Sequence, residues 1–166
     1  MIADKIKDVA ELKKIRQQLK EKKKKVVFSN GVIDILHRGH VEYLEQARQK
    51  GDVLILGLNS DRSARKLKGA GRPIVPQQDR AFVLAGLECV DYVCLFDEET
   101  PAALIREIRP DVLVKGGDYK IEDIVGREVV RKSGGEVLTI PTVPGKSTSG
   151  VLGKIVQLVK KGILSE

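Results

Sequence analysis

The order of apolar and polar positions predicts an amphipathic N-terminal helix followed by alternating strands and helices. Apolar residues recur at steps of three and four near the start of the chain, at Ile2, Ile6, Val9, Leu12, Ile15 and Leu19. This spacing is typical of one apolar face of a helix. Beyond it, short apolar runs predict five strands, at 25–29, 52–60, 90–96, 111–115 and 135–140. The stretches between and after them predict helices at 41–51, 61–68, 77–88, 100–109, 121–132 and 147–161.

Strands that alternate with helices across short connections indicate an α/β fold. The strands are apolar runs without clean alternation, as expected for a parallel sheet that helices cover on both faces. We expect two parts, an N-terminal amphipathic helix at 1–24 and one domain at 25–166. The apolar stripe of the first helix must be covered, which leaves two alternatives, the domain itself or a second copy of the chain.

Composition places the chain among ordinary globular proteins. Hydrophobic residues make up 42% and charged residues 32% of its 166 residues. No apolar run approaches the roughly 20 residues that cross a bilayer, and the charged N-terminus has no apolar signal core. Cys89 and Cys94 lack the spacing of a metal site and make a poor disulfide framework. We therefore expect a cytoplasmic protein without a membrane partner.

The positive charge of the chain has two interpretations. The net charge is +7, and residues 20–25 form its most basic block. A basic surface can bind nucleic acid, but aromatic residues make up only 4% of the chain and offer little surface for stacking bases. A basic face together with a small anionic substrate accounts for the charge without nucleic acid, and we expect no nucleic-acid partner.

Both histidines of the chain follow the first predicted strand. His37 and His40 stand three residues apart with Gly39 between them. A helix that begins near His40 would present unpaired N–H groups and the positive end of its dipole. The two imidazoles could then point at one phosphate, with Gly39 allowing close approach of the backbone. Asp34 could orient one ring by accepting a hydrogen bond. Zinc binding is the alternative, but no cysteine or third histidine completes a site.

The segment SNGVIDILHRGH resembles the HxGH nucleotidyltransferases. Further segments, namely LNSDRSARKLKGAGRPIVPQQDRAFVLAGLECVDYV, RPDVLVKGGDY and GGEVL, are similar to the adenylyltransferase domains of ADP-heptose synthases. The resemblance covers about residues 25–160. It implies a Rossmann-like three-layer fold with a five-stranded parallel sheet in the order 3-2-1-4-5. It also implies transfer of AMP from ATP to a heptose 1-phosphate, with Mg²⁺ bound to the ATP.

The resemblance also implies roles for individual residues. His37, His40 and Lys68 are expected to be catalytic, whereas Asp34, Lys66 and Arg80 are expected to bind the sugar phosphate. The nucleotide is expected to contact Asn30, Gly31, Val32, Ile33, Gly39, Asp118, Gly145, Ser147, Thr148 and Ser149. Structural alternatives remain for most of these residues, including an ion pair for Arg80 and a helix cap for Ser147.

The chain departs from the family pattern in several places. Ile33 replaces a common phenylalanine and Ser149 replaces a threonine. We also expect no sugar-kinase domain, because the 166 residues contain no segment that resembles one. A separate kinase and phosphatase would then have to supply the sugar 1-phosphate. Rival functions are cytidylyl or adenylyl transfer to another phosphate, such as glycerol 3-phosphate, and non-catalytic nucleotide binding.

Overall fold

One parallel sheet of five strands forms the centre of the protein. In the computed structural model, which describes residues 1–117 and 119–164, the strands are β1 (Val26–Gly31), β2 (Val53–Asn59), β3 (Tyr92–Phe96), β4 (Val112–Gly116) and β5 (Glu136–Ile140). Their order is β3-β2-β1-β4-β5, which confirms the expected fold. The order reverses between β1 and β4. Ligands of such sheets bind in the crevice at the carboxyl ends of the strands, at that reversal.

Seven α-helices accompany the sheet within the described residues. They are α1 (Val9–Glu21), α2 (Arg38–Arg48), α3 (Asp61–Lys68), α4 (Gln77–Ala85), α5 (Ala102–Ile108), α6 (Arg127–Lys132) and α7 (Thr148–Lys160).

The sheet has an apolar layer on each face because successive strand side chains point to opposite sides. Leu44 of α2 packs in one layer with Val112 and Val114, and we call this side the α2 face. Leu113 packs in the other layer with Ile105 of α5, and we call that side the α5 face. The strands are therefore buried on both sides, as their uninterrupted apolar sequences predict.

The N-terminal segment is not one continuous helix. A 3-10 turn at Ile2–Lys5 precedes α1, and between them Ile6 forms a parallel bridge with Val93 at the edge of the sheet. Asp8 caps α1 by accepting a hydrogen bond from the N–H of Glu11. Leu12 is fully buried in the α5-face layer. The apolar stripe therefore packs on the sheet domain of its own chain.

Two further helices differ from the sequence prediction. Helix α2 begins at Arg38, with His37 as its N-cap, which is earlier than expected. The helix predicted over 121–132 divides into a 3-10 turn at Ile121–Asp123 and α6. Gly126 separates them at φ +89°. A Cβ at this glycine would lie 2.5 Å from Ile105 Cδ1, so the close packing of α5 requires glycine here.

Candidate active site

A cleft of about 660 Å³ opens at the carboxyl ends of β1 and β4. Its walls come from the end of β1, the start of α2, the end of β4 and the segment that leads into α7. The predicted site residues that line it are Asn30, Gly31, Val32, Ile33, Asp34, His37, Gly39, His40, Lys68, Ser147, Thr148 and Ser149. Residues far apart in sequence thus meet where the strand order reverses.

The two histidine rings stack on each other inside this cleft. Their centroids lie 3.8 Å apart and their planes are inclined by 18°. Both Nδ1 atoms are buried and have no hydrogen-bond partner among residues 1–117 and 119–164. Buried polar atoms are normally paired. An unpartnered pair at the cleft therefore points to a ligand that the rings contact.

Both rings are neutral near pH 7. Burial, and then the neighbouring His37, lowers the pKa of His40 to about 4. Burial, with the charge of Lys146 added, also lowers the pKa of His37. A neutral imidazole retains one N–H donor and one acceptor nitrogen. Each ring can therefore donate a hydrogen bond to an anion without first taking up a proton.

The start of α7 lies against the start of α2. A Cβ on Gly39 would lie 3.0 Å from Lys146 Cβ and 3.2 Å from His37 Nδ1, so glycine permits this approach. Ser147 caps α7 by accepting a hydrogen bond from the N–H of Gly150. Gly145 forms the turn before it at φ +70° and does not line the cleft. Two helix N-termini, each the positive end of a dipole, therefore share one cleft.

The loop after β1 is strained. Ile33 has φ +39°, a conformation that β-branched residues rarely adopt. The residues on both sides of it are anchored. The carbonyl of Val32 accepts a hydrogen bond from Arg80 Nη1 at 2.6 Å, and Asp34 is held by the segment 72–75. These anchors maintain the strained conformation.

The expectation that Asp34 orients a histidine ring is wrong. Its carboxylate accepts hydrogen bonds from the N–H groups of Ile74 and Val75 and from Arg72 Nε at 2.5 Å. Burial alone would raise the pKa of Asp34, but the bonds from Val75, Ile74 and Arg72 together lower it below its ordinary value. Both carboxylate oxygens therefore already accept hydrogen bonds from the segment 72–75. These bonds join that segment to the loop after β1, so Asp34 stabilises the wall of the cleft.

Arg80 is also structural, because its guanidinium is buried away from the cleft. Only 2% of the residue is exposed, and it is absent from the cleft lining. It donates hydrogen bonds to the carbonyls of Val32, Asn59 and Val75 and pairs with Asp61 Oδ1 at 2.8 Å. The expectation that Arg80 grips the sugar phosphate therefore fails, since its donors already serve the protein.

The two lysines of α3 differ in position. Lys68 lines the cleft, whereas Lys66 does not. Lys66 Nζ instead lies 3.6 Å from Glu99 Oε1 in an exposed ion pair. Its expected contact with the sugar phosphate is not supported by this arrangement. Asp118, expected to bind nucleotide, lies outside the described residues.

Three cleft residues were missed by the sequence analysis. Lys115, at the end of β4, donates a hydrogen bond to Asn30 Oδ1 at 3.1 Å. Tyr43 also lines the cleft, with its hydroxyl 2.6 Å from Ser29 Oγ, and burial raises its pKa to about 12. Arg72 holds Asp34. Lys115 lies in a predicted strand and Tyr43 in a predicted helix, where the apolar pattern indicates only structural roles. Their place in the cleft becomes visible only in the tertiary structure.

The cleft can bind a polyanion and hold it in one orientation. Lys68, Lys115 and Lys146 line it together with the two neutral histidines and the hydroxyls at the start of α7. Such a site supplies positive potential and hydrogen-bond donors. It therefore suits chemistry that depends on positioning and charge stabilisation, as phosphoryl transfer does.

The sequence of this chain is similar to those of known proteins. A family model described as cytidylyltransferase-like matches residues 28–151. The bifunctional protein HldE of Citrifermentans bemidjiense is 57% identical over 132 residues, covering 80% of this chain and 27% of that protein. The bifunctional protein HldE of Campylobacter concisus is 55% identical over 151 residues, covering 91% of this chain and 31% of that protein. The chain thus spans under a third of the length of these relatives.

Solved structures share the fold. A lipopolysaccharide core biosynthesis protein from Thermoplasma volcanium superposes with a TM-score of 0.59 at 29% identity, covering 72% of this chain and 97% of that one. The pantoate-beta-alanine ligase of Francisella tularensis has a TM-score of 0.61 at 17% identity, covering 94% of this chain and 76% of that one. The second likeness concerns the fold alone.

Proposed function

The chain belongs to the cytidylyltransferase-like family of nucleotidyltransferases, and from this premise we propose that it transfers AMP from ATP to D-glycero-β-D-manno-heptose 1-phosphate. The products are ADP-heptose and pyrophosphate, which would serve the synthesis of lipopolysaccharide or another heptose-containing glycan. The observation that carries the proposal is the convergence of the stacked histidines and the start of α7 on one cleft. The similarity to the HldE proteins supports the choice of sugar.

The sugar phosphate is the nucleophile in this reaction. A phosphate monoester has a second pKa of about 6, so it is largely a dianion at neutral pH and needs no base to attack. An oxygen of the sugar phosphate forms a bond to the α-phosphorus of ATP. The bond from that phosphorus to the oxygen bridging to the β-phosphate breaks, and pyrophosphate leaves with the electron pair. No covalent intermediate with the protein is needed.

The protein contributes position and positive charge. His37 and His40 donate hydrogen bonds to the triphosphate, and their neutral state leaves one N–H on each ring for this purpose. The N–H groups and hydroxyls of residues 147–149 bind the β- and γ-phosphates at the start of α7. Asn30 to Ile33 and Gly39 contribute the backbone wall next to the nucleotide, and Lys68 adds charge close to the reacting phosphates.

Magnesium would bind with the ATP. Among residues 1–117 and 119–164, no group of three or more His, Cys, Asp or Glu side chains is arranged to hold a metal ion. Mg²⁺ commonly binds through phosphate oxygens and water rather than through a protein cage. The ion would neutralise part of the triphosphate charge.

We also propose where the reaction takes place and which partners it uses. None of the described helices combines the length and apolar character that a membrane span requires. We place the reaction in the cytoplasm, with ATP and a sugar 1-phosphate as partners and no role for nucleic acid. Kinase and phosphatase reactions would supply the sugar 1-phosphate, and a homodimer is one form in which the chain would act.

A panel of nucleotides and acceptors tests the proposed function. The protein is mixed with ATP or CTP, Mg²⁺ and either heptose 1-phosphate, glycerol 3-phosphate or pantetheine phosphate, and pyrophosphate release is measured. We expect the highest kcat/KM for ATP with heptose 1-phosphate. Preference for CTP with glycerol 3-phosphate would overturn the assignment, and nucleotide binding without turnover on any acceptor would favour a binding protein.

A further inference from the structure

Lys115 is a half-buried cation that the transfer described above does not use. Its Nζ lies 3.1 Å from Asn30 Oδ1 and 5.7 Å from the centroid of the Tyr119 ring. Within residues 1–117 and 119–164 its hydrogen-bond acceptors are two uncharged oxygens of Asn30, the side-chain Oδ1 and, at 3.5 Å, the backbone carbonyl. Burial, and then the charge of Lys68, lowers its pKa. A partly desolvated ammonium beside a second cation is unfavourable unless an anion compensates it.

The ammonium group emerges on the α5 face. Side chains alternate along a strand, so Lys115 lies on the same side of β4 as Leu113, in the α5-face layer. Asn30 follows Phe28 of that layer on β1 by the same two-residue step. The histidines, in contrast, belong to the start of α2, whose Leu44 packs on the other face. Lys115 and the histidine pair therefore approach the cleft from opposite faces of the sheet.

In an in-line displacement, the α2 face and the α5 face would contact different reacting groups. The entering and leaving oxygens lie on opposite sides of the phosphorus under attack. The histidines and the start of α7 take the leaving pyrophosphate on the α2 face. The attacking phosphate must then approach from the α5 face, where Lys115 lines the cleft, with Lys68 also in the cleft lining.

We propose that Lys115 binds the attacking phosphate of the acceptor substrate and orients it toward the α-phosphorus, with Asn30 holding the ammonium group in place. This inference rests on the proposed function for the direction of transfer. It assigns a residue outside the histidine motif to the acceptor. Two lysines, Lys115 and Lys68, together match the two negative charges of a phosphate monoester. The binding of that dianion compensates the ammonium that is otherwise partly desolvated.

Steady-state kinetics of Lys115→Met in the full chain test this assignment. We expect the KM for heptose 1-phosphate to rise roughly 10- to 100-fold, as loss of a charge-assisted hydrogen bond predicts, while the KM for ATP stays within about threefold. Lys115→Arg retains the charge and should recover part of the loss. Lys120→Met is the matched control, because this exposed lysine does not line the cleft, and its kinetics should equal those of the wild type.

Each outcome decides the assignment. An equal or larger rise in the KM for ATP would place Lys115 at the nucleotide and overturn it, and so would unchanged constants for both substrates. If Lys115→Met does not fold, as judged by thermal melting, the same comparison is made with Lys115→Gln. If the wild type uses another acceptor instead of heptose 1-phosphate, the proposed function fails alone and the comparison proceeds on that acceptor. If it turns over none, both proposals fail.

Discussion

The ring of His40 stacks on the ring of His37 at a centroid distance of 3.8 Å. Protonation of one ring therefore disfavours protonation of the other, because two positive charges would lie close together. The pair is therefore neutral near pH 7. Neutral rings still donate hydrogen bonds, and the net charge needed to bind a triphosphate must come from other groups. Lys68, Lys115 and Lys146 supply that charge around the same cleft.

Removal of either imidazole should impair turnover far more than nucleotide binding. We expect His37→Ala and His40→Ala each to lower kcat roughly 100- to 1000-fold, the usual effect of losing one donor to developing charge. Pyrophosphate release gives kcat, and calorimetric titration gives the affinity for ATP. Arg38→Ala is the control, since Arg38 is exposed, pairs with Glu42 and does not line the cleft. Unchanged kcat in both histidine variants would contradict the assigned roles.

The neutral pair should also make stability depend on pH. The pKa of His40 falls from an ordinary 6.5 to about 4 in the folded chain. As the pH falls from 6.5 toward 4, the unfolded chain binds a proton at His40 that the folded chain does not, so the free energy of unfolding decreases across this window. His40→Gln lacks this group. Urea unfolding at pH 7 and pH 5 should show a smaller loss for His40→Gln than for the wild type, and equal losses would refute the lowered pKa.

Arg80 should matter for folding rather than for acceptor binding. Arg80→Met leaves Asp61 without its buried partner and three carbonyls without a donor. Breaking such a buried pair typically lowers the free energy of unfolding by about 3–5 kcal/mol. Urea unfolding measures this loss, and the exposed Arg65→Met on α3 should lose little. A selective rise in the KM for the acceptor at unchanged stability would instead restore the phosphate-binding role.

Gly39 should be intolerant of even one methyl group. In Gly39→Ala the added Cβ would meet Lys146 Cβ at 3.0 Å and the His37 ring at 3.2 Å, so one of them must shift. Small displacements in a site that works by positioning are costly, and we expect kcat to fall about 10-fold. Gly153→Ala, inside α7 with open space around it, should keep full activity. Equal kcat for both variants would show that the contact is unimportant.

The N-terminal segment should be required for stability of the domain. Leu12 is fully buried in the α5-face layer, and replacement of a buried leucine by alanine usually lowers the free energy of unfolding by about 2–5 kcal/mol. Thermal melting of Leu12→Ala should therefore show a clear fall in Tm, whereas the exposed Lys14→Ala should match the wild type. Equal melting of both variants would mean that α1 only lies loosely on the sheet.

Local patterns predicted the sheet well because its strands are buried on both faces and stand out as apolar runs. Periodicity alone did not predict the break before α1, where Ile6 leaves the helical pattern to pair with Val93. It also missed the division at Gly126, which follows from the packing of Ile105 in α5. Both corrections depend on neighbours that are distant in sequence.

The candidate site was predicted where the chemistry lies in one continuous segment. His37, Gly39 and His40 form such a segment, and the hydroxyls at 147–149 form another. Asp34 and Arg80 were placed with the substrate on the family resemblance, yet both anchor the loop around the strained Ile33. Sequence does not show which donors are already occupied. Lys115 was missed because it lies near the end of an apolar strand, where the sequence pattern indicates only a structural position.

The position of the triphosphate can be observed in a crystal structure with an ATP analogue that has a methylene group between the α- and β-phosphorus atoms. We expect the β- and γ-phosphate oxygens to lie within hydrogen-bond distance of both imidazoles and of the N–H groups of residues 147–149 at once. A triphosphate that contacts only one of these two groups, or that lies outside their shared cleft, would contradict this expectation.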